Sequence, residues 1–200
     1  TIPAIDTPEK LEFVINRANT VSPVNIYPMA ALTCERVGLE MTELGFLHDA
    51  GAVGFTDCDQ VITNNKIMNR CLTYAASLGL LVQGHPQDST LTMGASATSG
   101  KFSSLKGLPA VNPIAEKMGV ERDLALVELT GVKYHFDQLS TALALEPLRR
   151  AKSNGLDVTA GVSIHHLTLN EMDIGDYRTF FKIKPPLRSE SDRVAMVEAI

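Results

Sequence analysis

The stretch Gly51-Ala52-Val53-Gly54-Phe55-Thr56-Asp57 joins a short apolar run to an acidic residue at its end. A similar arrangement recurs at 80–85, 132–138 and 158–166, where the runs end in His85, Gln138 and His165-His166. Each run has the length of a buried strand, and helix-like sequence separates the runs. This alternation predicts βαβ units and a parallel sheet. The polar side chains follow the strand ends, which is where a parallel α/β barrel carries its active site.

Other segments complete the expected order of elements. Asp6 or Thr7 can cap a first helix that has Pro8 in its first turn. We predict a strand over Val24 to Met29, and helices at 38–50, 63–78, 113–130 and 142–154, followed by a last helix capped by Ser189. Residues 89–109 are rich in Ser, Thr and Gly without a clear period, which predicts a long loop on the site face. Right-handed crossovers would close these units into a barrel or leave an open, doubly wound sheet.

Composition narrows the class of protein. The chain has 200 residues, of which 44% are hydrophobic and 20% charged, as is typical of a single globular domain with a sizeable core. The formal net charge of -5, without a cluster of Lys or Arg, argues against nucleic acid as a partner. No apolar stretch is long enough to span a bilayer and no signal peptide is visible, so we expect no membrane partner. Three cysteines without a CxxC pair fit a reducing cytoplasm.

Two strand ends carry the best candidates for a site. Asp57 ends one predicted strand, Cys58 and Asp59 follow it, and His85 ends the next strand. A carboxylate and an imidazole on adjacent strand ends can share a divalent metal such as zinc. The same residues could instead form a buried ion pair, or His85 could donate to a loop carboxylate. Dinucleotide-binding and P-loop motifs are absent, so those functions lack their main support in the sequence.

The remaining polar residues are less decisive. His135 and Gln138 point to opposite faces if both belong to the strand, because side chains alternate along it. His135 could therefore be a hydrogen-bonded core histidine, and at most one of His165 and His166 could face a site. Lys184 could contact an anionic ligand or could be a solvated cation on an edge strand.

Together these segments resemble the dihydroorotases of the amidohydrolase superfamily, along essentially the whole chain. The segments that carry the resemblance are 51–57, Gly107-Leu108-Pro109-Ala110, Glu121-Arg122-Asp123, Leu139-Ser140-Thr141, 149–152, 165–169 and Lys182-Ile183-Lys184-Pro185-Pro186-Leu187-Arg188. The resemblance implies a (β/α)8 TIM-type barrel of the metal-dependent hydrolase kind. It also implies the reversible cyclisation of N-carbamoyl-aspartate to dihydroorotate in pyrimidine biosynthesis. One or two zinc ions would activate water and polarise the cyclic amide carbonyl.

Carried over by position, the family pattern assigns roles unevenly. His85 falls on a metal-binding His, and Asp57 falls in a segment that supplies a metal-bridging carboxylate. Cys58 stands where some members have a second aspartate, and Gln138 stands where the family has a metal-binding His. A neutral amide is a poor zinc ligand, so the resemblance implies weaker metal binding at Gln138. Lys184 stands where the family usually has an Asn near the substrate, and we expect it to contact substrate.

The family's first and last barrel strands have no counterpart in these residues, and no catalytic residue is assigned within the chain. We expect residues 1–200 to be one partial barrel domain of a cytoplasmic, homo-oligomeric enzyme with a small-molecule substrate. Two alternatives stay open. A non-catalytic homologue could serve as a structural partner of aspartate carbamoyltransferase, or a related cyclic amidase could act on a hydantoin or allantoin.

Overall fold

A computed structural model describes all residues from Thr1 to Ile200. Helices and strands alternate from Asn65 to Thr168, and single turns of 3-10 helix lie outside that part of the chain, at Cys34–Arg36, Glu171–Ile174 and Thr179–Phe181. The helices are α1 (Pro8–Val21), α2 (Leu44–Asp49), α3 (Asn65–Ser77), α4 (Ser89–Thr92), α5 (Lys101–Lys106), α6 (Ile114–Thr130), α7 (Ala142–Ser153), α8 (Ile164–Thr168) and α9 (Glu190–Glu198). The strands are β1 (Leu81–Gly84), β2 (Ala97–Thr98), β3 (Ala110–Val111), β4 (Lys133–Phe136) and β5 (Val158–Ala160). No helix combines the length and apolar character that crossing a membrane requires.

The chain forms two compact units, and the first contains Thr1–His85 with Leu126–His135. Its centre is a parallel ladder in which Phe55 bridges Ala30 on one side and Val82 of β1 on the other. The amide of Phe55 donates to Leu81 O over 3.0 Å, and the amide of Gln83 donates to Phe55 O over 2.9 Å. β1 is also the neighbour of β4. Residues 52–56 therefore form no regular strand, but Phe55 pairs in parallel on both sides at the place where the apolar run predicted one.

The helices of the first unit bury one side, and α3 starts at a side-chain cap, whereas the predicted cap of α1 is wrong because Thr7 precedes that helix without a capping hydrogen bond from its side chain. Asn64 Oδ1 accepts hydrogen bonds from the amides of Lys66 and Ile67, which fixes the start of α3. α3 buries Met68, Cys71, Leu72 and Ala75, which recur at helical spacing. α1 starts with Pro8 after Thr7 and contacts α2. These faces supply the unit's apolar core together with the buried side chains of Leu11, Leu32, Leu44, Leu47, Phe55, Val82 and Tyr134.

The second unit contains Pro86–Ala125 with Phe136–Ile200. Within it, the amide of Gly161, just after β5, donates to Phe136 O over 2.9 Å. A separate parallel pair joins β2 to β3, with Ala97 opposite Ala110. α9 packs on both α7 and α8, and begins where Ser189 Oγ accepts from the amide of Asp192, so the predicted cap is present.

Three further predicted elements differ from the structure. Residues 89–109 are not one loop, because α4, β2 and α5 lie within them. In the predicted strand at 24–29, pairing with the neighbouring segment begins only at Pro28 O and continues at Ala30. Val24, Ile26 and Tyr27 are exposed, so they bury no strand face. The predicted helix at 38–50 is confined to Leu44–Asp49. That residues 1–200 form one barrel domain stays a prediction.

Candidate functional site

Asp57 follows the central segment of the first unit's ladder, and its carboxylate is buried. Oδ1 accepts hydrogen bonds from the amides of Leu32 and Thr33, at 2.9 and 3.0 Å. Oδ2 accepts a short hydrogen bond from the Thr33 hydroxyl. Burial raises the pKa of Asp57, and the bonds from Thr33 and Leu32 oppose that rise. The Asp57 carboxylate thus links residues 32–33, which follow Ala30 in the ladder, to the end of the neighbouring segment that contains Phe55.

A polar pocket of about 430 Å³ lies beside this carboxylate, between residues 35–38 and residues 57–62. Thr33 Oγ1 also accepts from the amide of Gly38, over 2.9 Å, so the Asp57 network holds the first wall. Glu35 and Arg36 of that wall have φ of 53° and 60°, in the left-handed region that non-glycine residues seldom adopt. Sequence reasoning missed this wall, because no periodic pattern or charge run marks it.

The two residues after Asp57 do not share its burial. Cys58 is exposed with φ of 56°, and its amide donates to Thr56 Oγ1 over 2.9 Å. Asp59 Oδ1 lies 3.9 Å from Arg36 Nη1, and the Asp59 side chain is 54% exposed. Asp59 therefore meets a cation at the limit of ion-pair distance rather than joining the buried carboxylate.

His85 comes directly after β1, at the same end of the ladder as Asp57, because Phe55 and Val82 are parallel partners. The His85 side chain is buried. Gly84 before it makes room for Tyr134, since a Cβ at Gly84 would lie 1.8 Å from the Tyr134 hydroxyl oxygen. The structure thus places Asp57 and His85 at one edge of the first unit, as the strand-end argument predicted. Their proposed role as metal ligands stays a prediction.

In the second unit, Gln138 is half-buried and has φ of 55°. The turn that follows it is anchored to Glu116 of α6. Glu116 Oε1 accepts from the amides of Ser140 and Thr141 over 2.9 and 2.8 Å, and from Thr141 Oγ1 over 2.8 Å. Glu116 Oε2 accepts a short hydrogen bond from Ser140 Oγ. The conformation after Gln138 is therefore set by a buried carboxylate.

Arg188 completes this network from the segment before α9. Its Nη2 lies 3.4 Å from Glu116 Oε2, its Nε donates to Ser140 Oγ over 3.0 Å, and its Nη1 donates to Thr98 Oγ1 over 3.3 Å. The side chains of Arg188 and Glu116 are only 2% and 1% exposed. We call this cluster of Glu116, Arg188, Ser140, Thr141 and Thr98 the Glu116 network. Sequence reasoning missed it because its members are up to 90 residues apart.

The two adjacent histidines divide as expected, although they lie in α8 rather than at a strand end. His165 is exposed and His166 is buried. His166 Nε2 lies 3.3 Å from Pro186 O, and its buried Nδ1 has no hydrogen-bond partner. Burial lowers the pKa of His166, so the neutral ring is favoured.

The segment after His85 reads Pro86-Gln87-Asp88 and leads into α4. Gln87 is buried and its Nε2 has no hydrogen-bond partner. Asp88 caps α4, because its Oδ1 accepts from the amides of Thr90 and Leu91 over 2.9 Å, and the bonds from Thr90 and Leu91 lower its pKa. Lys184 is exposed, and its predicted contact with substrate stays a prediction.

The zinc implied by the resemblance was tested against these side chains. No group of three or more His, Cys, Asp and Glu side chains is arranged to hold a metal ion. Both oxygens of Asp57 already accept hydrogen bonds, and Gln138 offers an amide where imidazole would be needed. The donors within this chain therefore do not fit a complete zinc centre.

Comparison with known proteins decides the family. The family model described as dihydro-orotase-like matches residues 1–143. The chain belongs to the dihydro-orotase-like family. It is 36% identical over all 200 residues to a dihydroorotase of Bacillus licheniformis, and 36% identical to a dihydroorotase-like protein of Pseudomonas aeruginosa. It covers 47% of each of these, so the chain spans about half the length of the curated relatives it matches.

The fold is shared with a solved cyclic amidase. An L-hydantoinase from Arthrobacter aurescens superposes with a TM-score of 0.81 at 18% identity, over 98% of this chain and 45% of the hydantoinase. The structural neighbours are TIM-barrel amidohydrolases, so the predicted fold class, an incomplete α/β barrel, is confirmed.

Proposed function

We propose that this protein is a dihydroorotase-type amidohydrolase that hydrolyses and re-forms the C–N bond of a cyclic amide. The observation that supports this most is the 36% identity to a dihydroorotase along the whole chain. The buried Asp57 and His85 at one edge of a parallel ladder support it further, since polar residues at the C-terminal ends of barrel strands are the usual site of chemistry.

The finer parts of this proposal come from the family. The substrate pair is N-carbamoyl-aspartate and dihydroorotate, the pathway is pyrimidine biosynthesis, and the cofactor is one or two zinc ions. The expected setting is the cytoplasm, with a homo-oligomer as the working form. Because the donors of this chain do not complete a zinc centre, metal content is the first property to measure.

The test uses the full-length protein, purified with and without added zinc. We expect bound zinc by elemental analysis, and conversion of dihydroorotate to N-carbamoyl-aspartate that a chelator abolishes. Assays with a hydantoin and with allantoin would show whether the protein prefers another cyclic amide to dihydroorotate, as a substitution at Lys184 would allow. Absence of both bound zinc and turnover of every ring would contradict the proposal.

A second function is favoured by the donor set. Neutral amides stand at Gln138 and Gln87, and the oxygens of Asp57 are engaged by Leu32 and Thr33. We propose, as the alternative, a non-catalytic family member that acts as a structural partner of aspartate carbamoyltransferase. Co-purification of the two proteins from their native host, without turnover of dihydroorotate, would support it.

The substitution Gln138→His separates the two functions. If the protein is an enzyme with a weakened metal position, this variant should bind zinc at least about tenfold more tightly, as expected for one added imidazole ligand. Gln138→Asn is the matched control, because it changes the residue without adding an imidazole. Unchanged zinc binding in the His variant, with intact co-purification, would favour the structural partner.

A further inference from the structure

A second pocket lies wholly within the second unit and is unrelated to Asp57. It encloses about 200 Å³, with Leu108, Ile174 and Phe181 among its lining residues. Arg178 and Lys182 also line it, and no acidic side chain does. We call it the Arg178 pocket. Its size suits a single ring with a substituent rather than a drug-sized ligand, for which pockets of about 300–1,000 Å³ are usual.

The apolar floor is part of a small core. Phe102, Ile174 and Leu187 form a buried hydrophobic cluster, and Leu108 and Phe181 pack against it. The apolar residues that line the pocket therefore pack on a buried cluster. Backbone hydrogen bonds hold the lining segment in place, such as that from the amide of Phe181 to Arg178 O over 3.1 Å. A preformed apolar surface of this kind binds a ring with little loss of protein entropy.

The neighbours of Arg178 define where its guanidinium lies at the pocket. The Arg178 guanidinium lies 5.7 Å from the centre of the Phe181 ring, and a Cβ at Gly175 would lie 3.4 Å from Arg178 Nε and Nη2. Gly175 thus gives the guanidinium room to lie close to the backbone. The nearby carboxylate of Asp176 is paired with Lys106 Nζ at 2.7 Å, and the charge of Arg178 acts on it only as a lesser, longer-range influence.

We infer that the Arg178 pocket binds a small organic anion. The flat apolar part of this anion lies on Leu108, Ile174 and Phe181, and the carboxylate of the anion is bound by Arg178 and Lys182. Guanidinium favours this ligand class because its planar donors match a carboxylate in a bidentate manner. This inference does not depend on the proposed catalytic function.

Isothermal titration calorimetry of the full-length protein tests the site with three probes. Benzoate carries both the ring and the charge, benzyl alcohol carries the ring alone, and inorganic phosphate carries charge alone. We expect benzoate to bind at least fivefold more tightly than either of the other probes. The double variant Arg178→Gln/Lys182→Gln should weaken benzoate at least fivefold, while Lys152→Gln, an exposed cation of the same unit on α7, should leave it unchanged.

Both substituted side chains are exposed, so the double variant should fold, and its circular dichroism and thermal midpoint serve as the check. Leu108→Gln, which removes part of the floor, should weaken benzoate by a similar factor without changing phosphate binding. Equal benzoate affinity in the native protein and the Arg178→Gln/Lys182→Gln variant would overturn the inference. So would the absence of saturable benzoate binding to the native protein.

Discussion

Replacing Glu116 by Gln should destabilise the protein far more than the same replacement elsewhere on its helix. Glu116 is 1% exposed and faces Arg188, which is 2% exposed. Glu116→Gln keeps the side-chain volume but removes the carboxylate paired with the buried guanidinium, to which Asp192 is a further, weaker counter-charge. Removing one partner of a buried ion pair costs about 3–5 kcal/mol, because the remaining charge is desolvated and uncompensated. The amide nitrogen would also meet donors such as Ser140 Oγ, which lowers stability further.

Glu121→Gln is the matched control on α6. Glu121 is 45% exposed and its Oε1 lies 3.8 Å from Lys117 Nζ, so its loss should cost under about 0.5 kcal/mol. Urea unfolding at neutral pH measures both variants, provided that their m-values agree with that of the native protein. Amide hydrogen exchange at Ser140 and Thr141 should accelerate only in Glu116→Gln.

The paired variant tests the cause. Arg188→Met alone leaves the Glu116 carboxylate buried without its partner, whereas Glu116→Gln/Arg188→Met removes both charges of the pair. The double variant should therefore lose less stability than the sum of the single variants. Equal losses in Glu116→Gln and Glu121→Gln, or strict additivity in the double variant, would refute the argument.

Two further predictions concern single titratable side chains. Burial raises the pKa of the Cys71 thiol to about 12, so Cys71 should resist alkylation near pH 8 while the exposed Cys58 reacts. Peptide mass spectrometry measures the labelling of each cysteine, and equal labelling of the two would contradict this prediction. Burial lowers the pKa of His166 below its ordinary 6.5, so the folded state disfavours the imidazolium. The contribution of His166 to the free energy of unfolding should be complete above pH 6.5 and should be lost as the pH drops through the folded-state pKa. His166→Gln should reduce that fall between about pH 7 and about pH 5, whereas His165→Gln, at the exposed neighbour, should not.

Local sequence patterns predicted the elements whose stability is local. α6 and α7 lie within one or two residues of the segments assigned by apolar period and glycine stops, and β4 lies within the run at 132–136. Residues 89–109 lack such a pattern because distant partners hold them. Thr98 Oγ1 donates to Leu187 O over 2.9 Å, and β2 pairs with β3. A periodicity argument has no access to a partner 89 residues away.

The same distinction holds at the candidate site. Strand ends predicted that Asp57 and His85 lie at one edge, because parallel register follows from the βαβ order. The occupation of both Asp57 oxygens by Leu32 and Thr33 could not be predicted, since those donors lie 24 and 25 residues earlier and act mainly through their backbone amides. From the sequence alone, a carboxylate at a strand end can therefore be either a metal ligand or a hydrogen-bond acceptor that joins two segments of the sheet.

The backbone at the substituted positions is specified by neighbours rather than by the side chains that stand there. Cys58 and Gln138 both adopt positive φ, which costs a non-glycine residue about 1–3 kcal/mol and persists only where the surroundings enforce it. At Gln138 the enforcing bonds are those of Leu139 N to Gly161 O and of Ser140 and Thr141 to Glu116. Histidine tolerates this region better than most residues. Gln138→His should therefore keep the turn, so a change in its zinc binding would report on the ligand set and not on the fold.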